Sequence, residues 1–312
     1  MKKILITGGM GFIGSHLARK NVELGNNVTI LTRSEKKADN IKDIRDKVKV
    51  IVKDIKNISE EDVANKDQIY HLASTVDNYA VKEGRPYEDI DVNCNGTIAL
   101  LEAVRNHNLG AKILFTSTFF VNGNVDKLPV NEHSECNPLG LYGATRLAAE
   151  HFCKIYSNVF GMDIKIGRFT NVFGDHEQGG NKKKAGFNYM INLAVSGKEL
   201  DVYDGGNFVR DYIFVDDVVD GCMAIMENGE PGKIYYVSRG ERIAFKRLID
   251  IIKENIPDVK INAIIPPDFH KKIGIVDFYA DNSSLRALGW KPKVSLEEGI
   301  KKTIEYYKKH QQ

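Results

Sequence analysis

The sequence predicts an α/β fold, a doubly wound parallel sheet with a smaller C-terminal domain. Three observations predict it. Short runs rich in Ile, Val and Leu alternate with helical stretches up to about residue 170, a pattern that calls for parallel strands joined by right-handed crossovers. The first of these runs breaks at once into three spaced glycines. Beyond residue 170 the alternation loosens into shorter elements, with loops rich in Gly, Asn and Pro at 174–186, 204–209, 229–232 and 266–274, as in a partly interleaved second unit. The domains are therefore expected at 1–170 and 171–312.

Strands are expected at 3–7, 27–32, 48–52, 67–72, 111–116 and 163–168. Gly8, Gly11 and Gly14 follow the first strand and open an amphipathic helix through Leu17, Ala18 and Val22. In such a triplet one glycine lets the strand turn sharply, one removes the Cβ that would block a pyrophosphate, and one lets the helix pack close. The first helical N–H groups then point at the anion with the helix dipole behind them. This is a Rossmann dinucleotide site by position as well as by spacing. Lys2 and Lys3 before an apolar run also suggest a signal peptide, but the run is short, glycine-broken and without a small-residue cleavage site.

Composition agrees with a globular enzyme. A chain of 312 residues, 42% hydrophobic and 28% charged, buries a real core. A formal charge of +2 gives no nucleic-acid or membrane field, and no apolar run approaches a membrane span. Cys94, Cys136, Cys153 and Cys222 are scattered, without a C-x-x-C pair, and predict reduced thiols in a cytoplasmic protein with no metal site. Lys182-Lys183-Lys184 and the lysines 301, 302, 308 and 309 are expected on solvated faces.

The second strand ends in Thr32-Arg33-Ser34, where an NAD-specific fold normally places an acid on the ribose 2′-hydroxyl. A carboxylate would repel a 2′-phosphate, whereas Arg33 with the hydroxyls of Thr32 and Ser34 binds one. The cofactor expectation is NADP(H) or NAD(H), leaning to NADP(H). NAD without an acidic partner, with Arg33 facing solvent, is the alternative. Asp54 and Ile55 after the third strand are placed to approach the adenine.

The chemistry lies between residues 115 and 146. Phe115-Thr116-Ser117-Thr118 ends the fifth strand in hydroxyls, and Tyr142-Gly143-Ala144-Thr145-Arg146 opens a long helix, so that Tyr142 and Arg146 share a face. A phenol near a cation in a closed site has its pKa drawn down toward neutrality and serves as acid or base to an alcohol or ketone. A neighbouring hydroxyl holds the substrate oxygen.

These residues resemble the extended short-chain dehydrogenases/reductases that act on nucleotide sugars, the NAD-dependent epimerase/dehydratase family. The resemblance runs nearly end to end: the glycine triplet, His71-Leu72-Ala73, Asn93-Cys94-Asn95-Gly96-Thr97, the hydroxyl-rich strand, the tyrosine helix, Arg168-Phe169-Thr170-Asn171-Val172-Phe173-Gly174, Arg210-Asp211-Tyr212-Ile213-Phe214-Val215-Asp216-Asp217, Ala280-Asp281 and Leu288-Gly289-Trp290. It implies that Tyr142 is the acid/base, Thr118 its hydroxyl partner, Asn171 a substrate-phosphate contact and Arg210 the partner of a nucleotide diphosphate. It further implies cofactor contacts at Phe12, Ile13, Leu72, Ala73, Asn93 and Phe169, and substrate contacts at Thr75 and Asn207. Trp290 is expected in the core, and His16 and His71 in packing or backbone capping.

Two departures bear on the reaction. Arg146 stands where the family has the lysine that binds nicotinamide ribose and lowers the tyrosine pKa; arginine keeps the charge but has a planar fork. Phe119 and Phe120 stand where the 4,6-dehydratases carry the Asp-Glu pair that removes water across C5–C6. Without acid or base there, hydride transfer at an alcohol or ketone carbon remains. The expected enzyme is a nucleotide-sugar 4-dehydrogenase or 4-ketoreductase; the alternatives are a 4-epimerase and a non-catalytic cofactor-binding sensor. Surplus apolar positions on the helices after Asp89 and Tyr142 predict a homodimer.

Overall fold

The computed structural model describes residues 1–76, 83–177 and 186–310; the predicted lysine run 182–184 lies outside them. Strands β1 (Lys3–Thr7), β2 (Asn27–Thr32), β3 (Val48–Val52), β4 (Gln68–His71), β5 (Lys112–Thr118), β6 (Ile164–Phe169) and β7 (Ile234–Val237) form one parallel sheet in the order β7-β6-β5-β4-β1-β2-β3. The doubly wound sheet is thus as expected, and six strands fall within about two residues of their predicted bounds. The seventh returns from beyond residue 170, so the two halves of the chain interleave.

Buried on both faces, β1 carries the unbroken aliphatic run Ile4-Leu5-Ile6, whereas β4 (Gln-Ile-Tyr-His) and β6 (Ile-Lys-Ile-Gly-Arg-Phe) bury polar residues as well. On one face helices α1 (Phe12–Glu23) and Val215–Asn228 pack Leu17, Ala18, Val218, Val219 and Cys222 against Ile4, Ile6 and Ile30. On the other, α2 (Gly96–His107) and α3 (Leu141–Phe160) bury Leu100, Leu101, Val104, Ala149 and Cys153 against Leu5, Ile113 and Ile164. Trp290 lies in the first of these cores, its Nε1–H donating to the Asp217 carbonyl at 3.1 Å.

The remaining elements form a second core around Phe173, Phe187, Tyr212, Phe214, Phe245 and Ile300. Here Asn171–Phe173 pairs in parallel with Tyr212–Phe214, and Leu200–Tyr203 with Ile261–Ile264. Buried Asp211 holds this unit to the end of β7, accepting hydrogen bonds from the backbone N–H groups of Arg239 (2.9 Å), Gly240 (3.1 Å) and Ala280 (3.3 Å). Burial pushes its carboxyl up to about 7 in spite of those three donors. All four cysteines are free thiols, and among the described residues no helix is long and apolar enough to cross a membrane.

Candidate active site

A cavity of about 960 Å³ opens at the carboxyl ends of β1, β4, β5 and β6, between the sheet and the C-terminal elements, the position where open α/β sheets bind ligands. Gly8, Gly11, Phe12, Ile13 and Gly14 form its floor. Gly8 has φ +72°, and a Cβ on Gly14 would stand 2.5 Å from the Gly8 carbonyl oxygen. The turn therefore accepts only glycine at these two points, and α1 starts with its N–H groups toward the cavity.

Leu72 and Phe169 also line the cavity, from the ends of β4 and β6. Ala73 lies beside Gly8, its N–H donating to Thr7 Oγ1 at 3.1 Å. That hydroxyl meets His71 Nδ1 at 2.7 Å, and His71 Nε2 meets Thr97 Oγ1 at 3.1 Å. Because Thr97 Oγ1 gives its own proton to the Asn93 carbonyl at 2.6 Å, it accepts from His71, which fixes the Nε2–H tautomer. His71 is therefore a neutral strut under the turn after β4.

Tyr142, Thr118 and Arg146 converge on this cavity and are 7%, 6% and 1% exposed. The Tyr142 hydroxyl faces those of Thr118 and Ser74, both of which favour its ionised form. Its pKa differs from the sequence expectation: burial raises it above the ordinary phenol value, and the Arg146 charge and the two hydroxyls offset that only in part. The phenol is held protonated, ready to give a proton, because desolvation of the phenolate outweighs one cation. Arg146 stacks on the Phe115 ring, and its Nε and Nη1 have no hydrogen-bond partner. Two further buried hydroxyls on the cavity wall, Ser117 and Thr170, are also unpartnered. Orphaned donors around a glycine cradle fit a polar dinucleotide, whose ribose hydroxyls and carboxamide would satisfy them.

Asn93 takes a different place from these. It lies in a π-helical turn (Ile90–Asn95), is fully buried and does not line the cavity. Its Oδ1 accepts from Ser74 Oγ (3.0 Å) and Thr75 N (3.1 Å), and its Nδ2 donates to Thr145 Oγ1 (3.1 Å), clasping the turn after β4 to the start of α3. Thr75 gives its hydroxyl to Asp89. Asn171 lines the cavity while its Nδ2 donates to the Asp211 carbonyl at 3.1 Å.

Arg210 also lines it, over the Phe208 ring at 4.9 Å, but its guanidinium donates to the carbonyls of Val209, Ile275 and Val276. Asn207 is exposed in a turn closed by its own N–H on the Asp204 carbonyl. Asp54 caps a short helical turn through the Lys56 N–H, and Ile55 packs beneath Gly96; neither lines the cavity. At the end of β2, Thr32 Oγ1 donates to the Ser34 carbonyl at 3.0 Å and Arg33 is exposed.

Ser74, Lys37 and Glu177 are among the cavity residues that the sequence reading missed. Ser74 was within reach, three residues past His71 at a strand end. Glu177 comes from the loop after Phe173, and burial pushes its carboxyl up to about 7, with Lys37 opposing. His16, expected in packing or backbone capping, meets the Asp175 carbonyl through Nε2 at 3.1 Å and the Asp175 and Asp216 side chains at 3.7 and 3.5 Å. Among the described residues no cluster of His, Cys, Asp or Glu is arranged to hold a metal ion.

A family model for the NAD dependent epimerase/dehydratase family matches residues 4–238. The chain belongs to that family. It is 31% identical to a putative UDP-glucose 4-epimerase of Methanocaldococcus jannaschii over 98% of each protein, and 29% identical to UDP-glucuronic acid decarboxylase 1 of Xenopus tropicalis over 99% of this chain and 72% of that protein. Its structure is similar to that of the Thermotoga maritima UDP-glucose 4-epimerase with UDP-glucose (TM-score 0.88, 27% identity, 98% and 99% of the two chains). It is also similar to that of Bacillus cereus UDP-glucuronic acid 4-epimerase with UDP-glucuronic acid and NAD (TM-score 0.87, 26% identity, 98% and 99%). The family member described here is an enzyme, with the fold expected for it.

Proposed function

We propose that this enzyme moves a hydride to or from ring carbon C4 of a nucleotide-diphosphate sugar, with Tyr142 as the acid/base. The observation that carries it is the convergence of Tyr142, Thr118 and Arg146 on one wall of a cavity floored by a glycine cradle. A bound nicotinamide dinucleotide supplies the hydride donor or acceptor. Tyr142 then exchanges a proton with the sugar oxygen, Thr118 holds that oxygen, and Arg146 binds cofactor ribose hydroxyls through its unpartnered N–H groups and favours the phenolate as it forms. Asn171 and Arg210 face the diphosphate, for which Arg210 exchanges its carbonyl partners.

Leaning to NADP rests on Arg33, which is exposed with no carboxylate partner among the described residues; the Bacillus relative carries NAD. A 4-epimerase is the second reading, favoured by the names of the Methanocaldococcus and Thermotoga relatives. The test supplies UDP- and dTDP-linked hexoses with NAD or NADP and follows nicotinamide absorbance and product configuration. Net cofactor conversion supports the oxidoreductase, configuration change without it the epimerase, and neither the sensor.

Division at 170, a cytoplasmic location and a homodimer complete the proposal. The dimer is motivated by apolar residues that α3 leaves exposed, Ile155 (53%) and Val159 (62%). A monomeric mass at micromolar concentration would count against it.

A further inference from the structure

The proposed C4 chemistry leaves open what the rest of the sugar must be, and the wall beside Tyr142 bears on it. Thr118 Oγ1 accepts the N–H of Phe120 at 3.3 Å, closing a tight helical turn (Phe119–Val121) directly after the catalytic strand. Phe119 turns inward, 4% exposed, 4.7 Å from the Phe278 ring in a small core with Val130, Tyr236, Ile275 and Ala280. Phe120 stays half-buried on the cavity surface, its ring 4.5 Å from that of Phe119 and 6.0 Å from that of Tyr142, edge-on at 68°. The backbone holds it there, since Gly143, next to Tyr142, approaches the Phe120 carbonyl so closely that a Cβ would stand 2.6 Å away. The acids that line the described cavity, Glu177, Glu199 and Asp201, all come from C-terminal elements rather than from this strand and turn.

With the reacting oxygen on Tyr142 and Thr118, a substituent on a neighbouring ring carbon meets these aromatic rings. C4 is flanked by C3 and C5. C3 carries a hydroxyl in ordinary hexoses; only the C5 substituent comes in an apolar form, the methyl of a 6-deoxyhexose. A hydroxymethyl or carboxylate there would leave water for carbon without a hydrogen-bond partner.

Resting on the C4 reading, we propose that Phe119 and Phe120 select a nucleotide-linked 6-deoxyhexose, its C6 methyl packed on the Phe120 ring. The experiment compares kcat/KM for UDP- and dTDP-linked glucose, glucuronate and xylose with the corresponding 6-deoxyglucose compounds, in the native enzyme, Phe120→Leu and Phe120→Ser. The native enzyme should prefer the 6-deoxy sugar over glucose by about 10- to 100-fold, the range set by stranding one buried polar group, with xylose between them. Phe120→Leu should keep the preference, and Phe120→Ser should bring it close to unity by raising turnover of glucose, with cofactor affinity unchanged. Glucose or glucuronate turned over as well as the 6-deoxy sugar overturns the proposal and leaves the C4 reading intact. Turnover of none of these sugars overturns both.

Discussion

The Arg146 guanidinium stands over the Phe115 ring, 4.3 Å from its centroid, with Nε and Nη1 unbonded. A cation held on an aromatic face inside a protein is fixed in orientation. It faces Tyr142 from one turn along the same helix, and Phe115 belongs to the strand that delivers Thr118. Burial lowers the Arg146 pKa from its ordinary value, yet a guanidinium stays charged near neutral pH. The site thus keeps a permanent cation under a phenol that burial holds protonated.

If Tyr142 gives and takes the proton, Tyr142→Phe should cut kcat by about 10²- to 10⁴-fold, the usual worth of a positioned proton donor, with cofactor affinity nearly unchanged. Arg146→Lys should keep substantial activity because the charge remains. Arg146→Ala should slow turnover and weaken cofactor binding together. A pH–rate profile of each variant beside a cofactor titration checks this, and an Arg146→Ala enzyme unaltered in both would refute the role.

Cofactor choice turns on Arg33. Thr32 has spent its hydroxyl proton on the Ser34 carbonyl, so a 2′-phosphate would draw mainly on the arginine. Arg33→Ala should lose about 1.5–3 kcal/mol of NADP affinity, the scale of a charge-assisted hydrogen bond, with little change for NAD. Equal affinity of the native enzyme for NAD and NADP, by fluorescence titration, would remove the basis for it.

What the sequence disclosed, and what it hid, divides by chain distance. The strands up to Phe169 announce themselves because most carry an aliphatic stretch and each recurs between helical segments, and the glycine cradle, Thr118 and Tyr142 sit in contiguous motifs. β7 (Ile234–Val237) escaped because it lies where the strand–helix alternation has already broken down. The raised Tyr142 pKa escaped because the spacing of Tyr142 and Arg146 shows the cation but not the burial. Lys37 and Glu177 reach the cavity from opposite halves of the chain, a juxtaposition that no local spacing encodes.

Reaction class follows from Phe119 and Phe120. Given its nucleotide sugar, the enzyme should return a product of unchanged mass or one differing by a pair of hydrogens. Mass spectrometry showing loss of water would overturn the assignment of hydride transfer without elimination.

Behind α3, Arg168 donates to both oxygens of Glu150 at 2.9 and 2.7 Å, with the two side chains 2% and 1% exposed. Burial opposes the charge, but the bonds to Glu150 and its field hold the Arg168 pKa above the ordinary value. Removing one partner strands the other, so Glu150→Ala should cost about 3–5 kcal/mol in denaturant unfolding. Replacing both, Glu150→Leu with Arg168→Met, should cost less than the single change. A double variant weaker than Glu150→Ala would show that the pair itself, rather than the stranded charge, sets the stability.

The last prediction concerns acid. Burial, reinforced by the Arg146 charge, pushes His71 down to about 3 from an ordinary 6.5. Between those values the unfolded chain binds a proton at this residue and the folded one does not. Stability from His71 is therefore present above pH 6.5 and falls as pH drops toward 3. Glu177 and Asp211, pushed up to about 7, work the other way over part of this range, so the sign must be read from a difference. His71→Gln keeps polar atoms beside Thr7 and Thr97 but does not titrate. The gap in unfolding free energy between native and variant proteins should narrow steadily from pH 7 to pH 5. A gap that stays constant would mean that His71 titrates in the fold as it does in the unfolded chain, and that burial does not hold it neutral.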